Sequence, residues 1–79
     1  MEAVIFIQIS GGSLPVEVAG KIKDVPGVKE VMLISGDWDI MVKFEYEHME
    51  KLSEFVVSRL RKENNISKTE TIIVLDRIK

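Results

Sequence analysis

The sequence predicts a small α+β domain with the element order β-α-β-β-α-β, and three features of its 79 residues predict it. Four runs, each about a strand long, are dense in β-branched and aromatic residues. Two intervening segments carry apolar residues at helical spacing. Glycine, proline and asparagine stand at the junctions.

The first run, residues 3–10 (AVIFIQIS), meets Gly11-Gly12 and reads as a strand ended by a breaker. Leu14, Val18, Ile22 and Val25 then form one apolar stripe, with Ser13 available as cap and Pro15 tolerated in the first turn. Pro26-Gly27 ends that helix. Residues 29–35 (KEVMLIS) and 38–46 (WDIMVKFEY) read as the two strands of a hairpin turning at Gly36-Asp37. A second helix is expected from His48 to Lys62, with Met49, Leu52, Phe55, Val56 and Leu60 inward, and Asn64-Asn65 stopping it. The last strand is expected over 69–78 (TETIIVLDRI), with the polar residues 67–71 at its mouth. No internal repeat, linker or low-complexity segment divides the chain, so residues 1–79 read as one unit.

Side chains alternate across a strand, so Ala3, Ile5, Ile7 and Ile9 share one face while Val4 and Phe6 share the other. Val31 and Leu33 likewise oppose Met32 and Ile34, and Ile72 and Val74 oppose Ile73 and Leu75. Two helices cover only one face of a sheet. The second apolar face therefore predicts a second layer supplied by another copy, through a two-fold axis.

Composition narrows the chemistry. The formal net charge is -2 with both signs interspersed, which gives no basic stripe for a phosphate backbone, so no direct DNA binding is expected. The chain has no Cys, which excludes disulfides and thiolate metal sites, and no run approaches the roughly twenty apolar residues of a membrane span. A cytoplasmic location is the default expectation. His48 has no neighbouring nucleophile and reads as a surface residue beside a helix cap. Neither a cofactor nor a metal is expected, and no catalytic residue is assigned. Gly11-Gly12 lacks the spacing of a phosphate loop and reads as a tight connection.

Ser35-Gly36-Asp37-Trp38-Asp39 is the most informative stretch. A carboxylate here suits an ammonium group, while backbone amides freed by a flexible Gly suit a carboxylate, and together these match the two ends of a free amino acid. The same residues also fit a plainer reading, with Asp37 an ordinary turn former and Asp39 a solvent-facing strand residue.

The chain resembles the C-terminal effector-binding (RAM) domain of the Lrp/AsnC family. The resemblance rests on Val25-Pro26-Gly27-Val28, on Gly36-Asp37-Trp38-Asp39-Ile40 where the family has G-D-[YW]-D-[LI], and on Thr69-Glu70-Thr71 leading into Ile72-Ile73-Val74-Leu75. It implies a ferredoxin-like two-layer sandwich of the dimeric α/β barrel type, with sheets packed face to face in homodimers that join as four dimers into an octamer. It also implies an amino-acid effector bound between dimers at Gly36, Asp37, Trp38 and Asp39, with Thr69 and Thr71 contributing hydroxyls. Because the first strand starts near Met1, the resemblance is to the stand-alone form without a helix-turn-helix domain, with full-length Lrp/AsnC regulators as expected partners. The function implied is non-catalytic amino-acid sensing related to transcription regulation. Two rivals share the element order: an ACT-like regulatory subunit of an amino-acid metabolic enzyme, and a small dimeric α/β barrel enzyme.

Overall fold

In the computed structural model, which describes Met1–Lys79, the central strands of a four-stranded sheet are the first and third in the chain. The elements are β1 (Glu2–Ile9), α1 (Pro15–Ile22), β2 (Val28–Leu33), β3 (Ile40–Glu45), α2 (Met49–Ser53) and β4 (Ile66–Ile73), in the sheet order β2-β3-β1-β4. Every neighbouring pair is antiparallel. This is the ferredoxin-like arrangement.

One face of the sheet carries the core. Ala3, Ile5 and Ile7 of β1 lie beside Phe44, Val42 and Ile40 of β3, and all are buried against Val18 and Ile22 of α1 and against Leu52, Phe55 and Leu60 of the second helix. Burial of a Leu or Ile side chain contributes about 1.5–3 kcal/mol, so this layer dominates the stability. Gly27 closes the layer at one end: its φ is +100°, and a Cβ there would sit 2.6 Å from Phe44 Cε1. Phe44 in turn stacks on Phe55 with ring centroids 4.5 Å apart.

The second helix continues from α2 into a π-helical segment, Glu54–Leu60. Hydrogen bonding from i to i+5 brings residues five apart onto one side, so Phe55 and Leu60 both reach the core while Val57 turns outward. Regular α-helical spacing would have set them about 140° apart, at the two edges of the apolar stripe. Arg59 ties the two helices together: its guanidinium donates to Glu63 Oε1 and to the Lys21 carbonyl oxygen, each at 2.7 Å. That guanidinium, with help from Lys21, holds the Glu63 carboxyl below its ordinary value against the opposing effect of burial.

Several local expectations differ from the structure. The first helix ends at Ile22, before Val25, and the second at Leu60, before Lys62. Leu14, not Ser13, is the N-cap of α1, with no side-chain cap bond, and Leu14 is exposed rather than part of the buried stripe. The hairpin loop extends to Asp39, so Trp38 and Asp39 precede β3 rather than belong to it. β4 begins at Ile66 and ends at Ile73, placing Ser67 to Thr71 inside the strand. The reason is register: Ile73 pairs with Ala3, and β1 runs out at Glu2, so the residues beyond have no strand to join. Val74 donates to the Glu2 carbonyl oxygen, and Leu75 and Ile78 are left 93% and 90% exposed.

The other face of the sheet is uncovered. Val4, Phe6, Met32, Met41 and Ile72 form its apolar part, by their register opposite one another. It is more polar than the strand sequences suggested, because Glu30, Lys43, Lys68 and Glu70 share it. Glu30 and Lys43 pair at 3.4 Å.

Candidate functional site

The loop between β2 and β3 folds over the end of β1. Ile34 N–H donates to the Asp39 carbonyl oxygen and Asp39 N–H to the Ile7 carbonyl oxygen, both at 2.9 Å, which closes the loop at its base. Gly36 makes the turn with φ +123°, a region that side chains resist.

Asp39 is half-buried, and its Oδ2 accepts from Ile9 N–H at 2.7 Å. Ile9 lies where β1 shifts register against β4 and where β3 has not yet begun, so the carboxylate supplies an acceptor at the strand's end. A charged acceptor at this distance is a strong bond. Gln8 Nε2 donates to the Asp37 carbonyl oxygen at 3.3 Å, and Ser67 Oγ donates to the Gln8 carbonyl oxygen at 3.1 Å. Loop, β1 and β4 are thereby knitted together.

What the loop leaves free is as specific as what it pins. The Asp37 side chain is exposed and has no hydrogen bond. The backbone N–H groups of Ser35, Gly36, Asp37 and Trp38 donate to no backbone group in the chain. A free carboxylate and a run of free amide donors therefore lie within four consecutive residues. Trp38 turns the other way: its ring packs on Phe6 with centroids 5.9 Å apart, and Lys68 Nζ lies 5.4 Å from its centre.

The expected site residues thus divide. Gly36, Asp37, Trp38 and Asp39 form one continuous loop, with separate directions for their side chains. Thr69 and Thr71 do not join them. They pair with Ile7 and Ile5, so they occupy the helix side of the sheet, opposite to Phe6, Lys68 and the Trp38 ring. Sequence reasoning missed Gln8, Ser67 and Lys68, which the fold brings to the loop from the ends of β1 and β4. The polar residues within otherwise apolar strand runs were the available signal.

A separate groove of about 720 Å³ opens between the α1–β2 connection and the second helix. Gly27, Lys29, Tyr46, His48, Ser58 and Lys62 are among its lining residues. His48 is the exposed N-cap residue of α2 and makes no side-chain cap bond. No group of three or more His, Cys, Asp or Glu side chains is arranged to hold a metal ion, and no helix is long and apolar enough to cross a membrane.

Comparison with known proteins agrees with this fold. Residues 2–79 match the Lrp/AsnC ligand-binding domain. The chain is 33% identical over 63 residues to an uncharacterised HTH-type transcriptional regulator of Pyrococcus abyssi, covering 80% of this chain and 42% of the regulator. It is also 35% identical over 78 residues to a homocitrate synthase of Sulfurisphaera tokodaii, covering 99% of this chain and 17% of the synthase. The chain thus spans less than half the length of these curated relatives. Among solved structures, a transcriptional regulator of Neisseria meningitidis in complex with L-Met shares the fold, with a TM-score of 0.88 and 23% identity over 99% of this chain and 51% of that one. The chain belongs to the Lrp/AsnC ligand-binding domain family, a regulatory effector-binding class of domain.

Proposed function

We propose that the chain is a non-catalytic amino-acid-sensing and assembly module, in which the Gly36–Asp39 loop receives a small amino-acid effector between dimers. The observation that carries this reading is the pairing of the unbonded Asp37 carboxylate with the unpaired loop amides. The carboxylate suits the ammonium end of an amino acid, and the amides suit its carboxylate end. Asp39 then builds the site rather than contacting the ligand, because its carboxylate is already used by Ile9. Thr69 and Thr71 fall outside the site in this chain and enter it only if a neighbouring dimer presents them. The L-Met bound by the Neisseria regulator supports the ligand class. Four dimers in an octamer, and co-assembly with full-length Lrp/AsnC regulators in the cytoplasm, belong to the same proposal.

A thermal-shift screen of the twenty amino acids tests it. A ligand at 100 times its dissociation constant stabilises by about 2.7 kcal/mol, which for a domain this size raises Tm by roughly 10 °C or more. Asp37→Ala should remove the shift. A shift that survives this change would place the ligand elsewhere.

A second reading has its own support, the likeness to homocitrate synthase over 78 residues. In it the module serves a metabolic enzyme as a regulatory part rather than a transcription factor. Capture experiments with the tagged chain separate the two: recovery of an acyl-transferring synthase favours the second, and recovery of a helix-turn-helix regulator favours the first.

A further inference from the structure

The groove beside the second helix lies at the end of the sheet away from the Gly36–Asp39 loop. Tyr46 lines it, and Tyr46 N–H donates to the Met1 carbonyl oxygen, so the groove stands where β1 begins. The loop stands where β1 ends, about 25 Å along the strand.

Three aromatic rings underlie the groove. Phe55 and Phe44 stack with centroids 4.5 Å apart, and Phe44 and Tyr46 follow at 6.4 Å with their planes 22° apart. Tyr46 is 4% exposed, and its hydroxyl is the one buried side-chain polar atom in the chain without a hydrogen-bond partner. Buried hydroxyls nearly always have one, so this orphan calls for a physical reason. The helical wall points the same way: Phe55, Ser58 and Arg59 reach the groove from the π-helical segment, a winding found frequently at functional sites.

Charge selects the ligand. Lys29 and Lys62 line the groove and take part in no ion pair. Of the acids beside them, Glu54 is paired with Lys51 at 4.0 Å, and Glu45 projects by register to the other face of the sheet, which leaves Glu47. The free charge is therefore positive on balance.

We propose that this groove is a second ligand site, separate from the effector loop, and that it takes a small aromatic carboxylate. The rings give flat apolar contact to the body of such a ligand. Lys29 and Lys62 attract its carboxylate, and the Tyr46 hydroxyl donates a directed bond to it. The hydroxyl is closed to solvent in the unliganded chain, so engaging it requires a shift of the side chains around it.

Benzoate is the probe, with benzylamine as the control of opposite charge. In a titration followed by amide chemical shifts, benzoate should move Gly27, Tyr46, His48 and Ser58 with a millimolar dissociation constant and leave Gly36 and Asp37 in place. Benzylamine should move none of them. Joint replacement Lys29→Ala and Lys62→Ala should weaken benzoate binding about tenfold or more, and Tyr46→Phe about tenfold. Tyr46→Phe should also keep Tm at or above the wild-type value, because the hydroxyl has no bond within the chain to lose. The proposal is overturned by an absence of groove shifts up to about 20 mM benzoate, by an equal response to benzylamine, or by a Tyr46→Phe protein that binds benzoate as the wild type does. A lowered Tm in Tyr46→Phe overturns it as well, since the hydroxyl would then be bonded within the fold. Asp37→Ala should leave the benzoate titration unchanged, so this site and the effector loop stand or fall separately.

Discussion

Replacing Asp39 by Ala removes the acceptor at the end of β1 and leaves Ile9 N–H without its partner. The bond is short, 2.7 Å, and its acceptor is a half-buried carboxylate, which puts its net value at about 1.5–3 kcal/mol. We therefore expect a loss of about 2 kcal/mol, set against a total of roughly 4–12 kcal/mol for a chain of this length. Asp39→Asn keeps a neutral acceptor of the same shape and should lose only about 1 kcal/mol. The assay is urea unfolding at one fixed protein concentration, since association contributes to apparent stability. Hydrogen exchange at the Ile9 amide supplies the local readout: protection should fall sharply in the Ala variant and partly in the Asn variant. A stability within about 0.5 kcal/mol of wild type, with Ile9 protection unchanged, would refute the view that Asp39 anchors the loop.

Two further changes probe the frame around the site. Gly27→Ala forces a side chain into φ +100° and against Phe44, so strain and overpacking together should cost about 2–4 kcal/mol in the same urea assay, and a near-neutral result would contradict the packing described. Glu63→Gln should cost about 1 kcal/mol at neutral pH, a modest figure because Arg59 is partly solvent-exposed. Since the Glu63 carboxyl is held below its ordinary value of 4.5, its contribution is present above that pH and is lost as pH falls through the lower folded value. The stability difference between wild type and variant should therefore vanish in acid, and a difference that persists would separate the cost from the charge.

The fold was legible because the local signals agreed with one another. Each apolar run that read as a strand is a strand, while the two helices end at Ile22 and Leu60, short of Pro26-Gly27 and Asn64-Asn65. The strand boundaries that moved were set by pairing, which no local pattern contains. The β4 run is β-branched through Ile73 and Val74, yet it starts at Ile66 and stops at Ile73 because β1 offers partners only from Ile9 to Ala3. The π-helical winding was also hidden, because Leu52, Phe55, Val56 and Leu60 satisfy an ordinary helical stripe well enough.

The loop was legible as a cluster but not as a division of labour. Two aspartates two residues apart look equivalent in sequence. The fold makes them opposite in kind, since the end of β1 bonds the Asp39 carboxylate and no group bonds the Asp37 carboxylate. Trp38 read as the first residue of the returning strand, and only the position of Phe6 and Lys68 beside it sets the ring on the sheet face. Thr69 and Thr71 followed from the resemblance alone. Their partners Ile7 and Ile5 place them on the other side.

In the proposed function, the Gly36–Asp39 loop is where an amino acid binds. Mapping amide chemical-shift changes on addition of the amino acid that gives the largest thermal shift tests it most directly. The largest changes are expected at Ser35, Gly36, Asp37 and Trp38, with smaller ones at Ile9 and Ser67, through the bonds that tie the loop to β1 and β4. Changes concentrated instead at Gly27, His48 and Ser58 would place the ligand in the groove beside the second helix and contradict the claim.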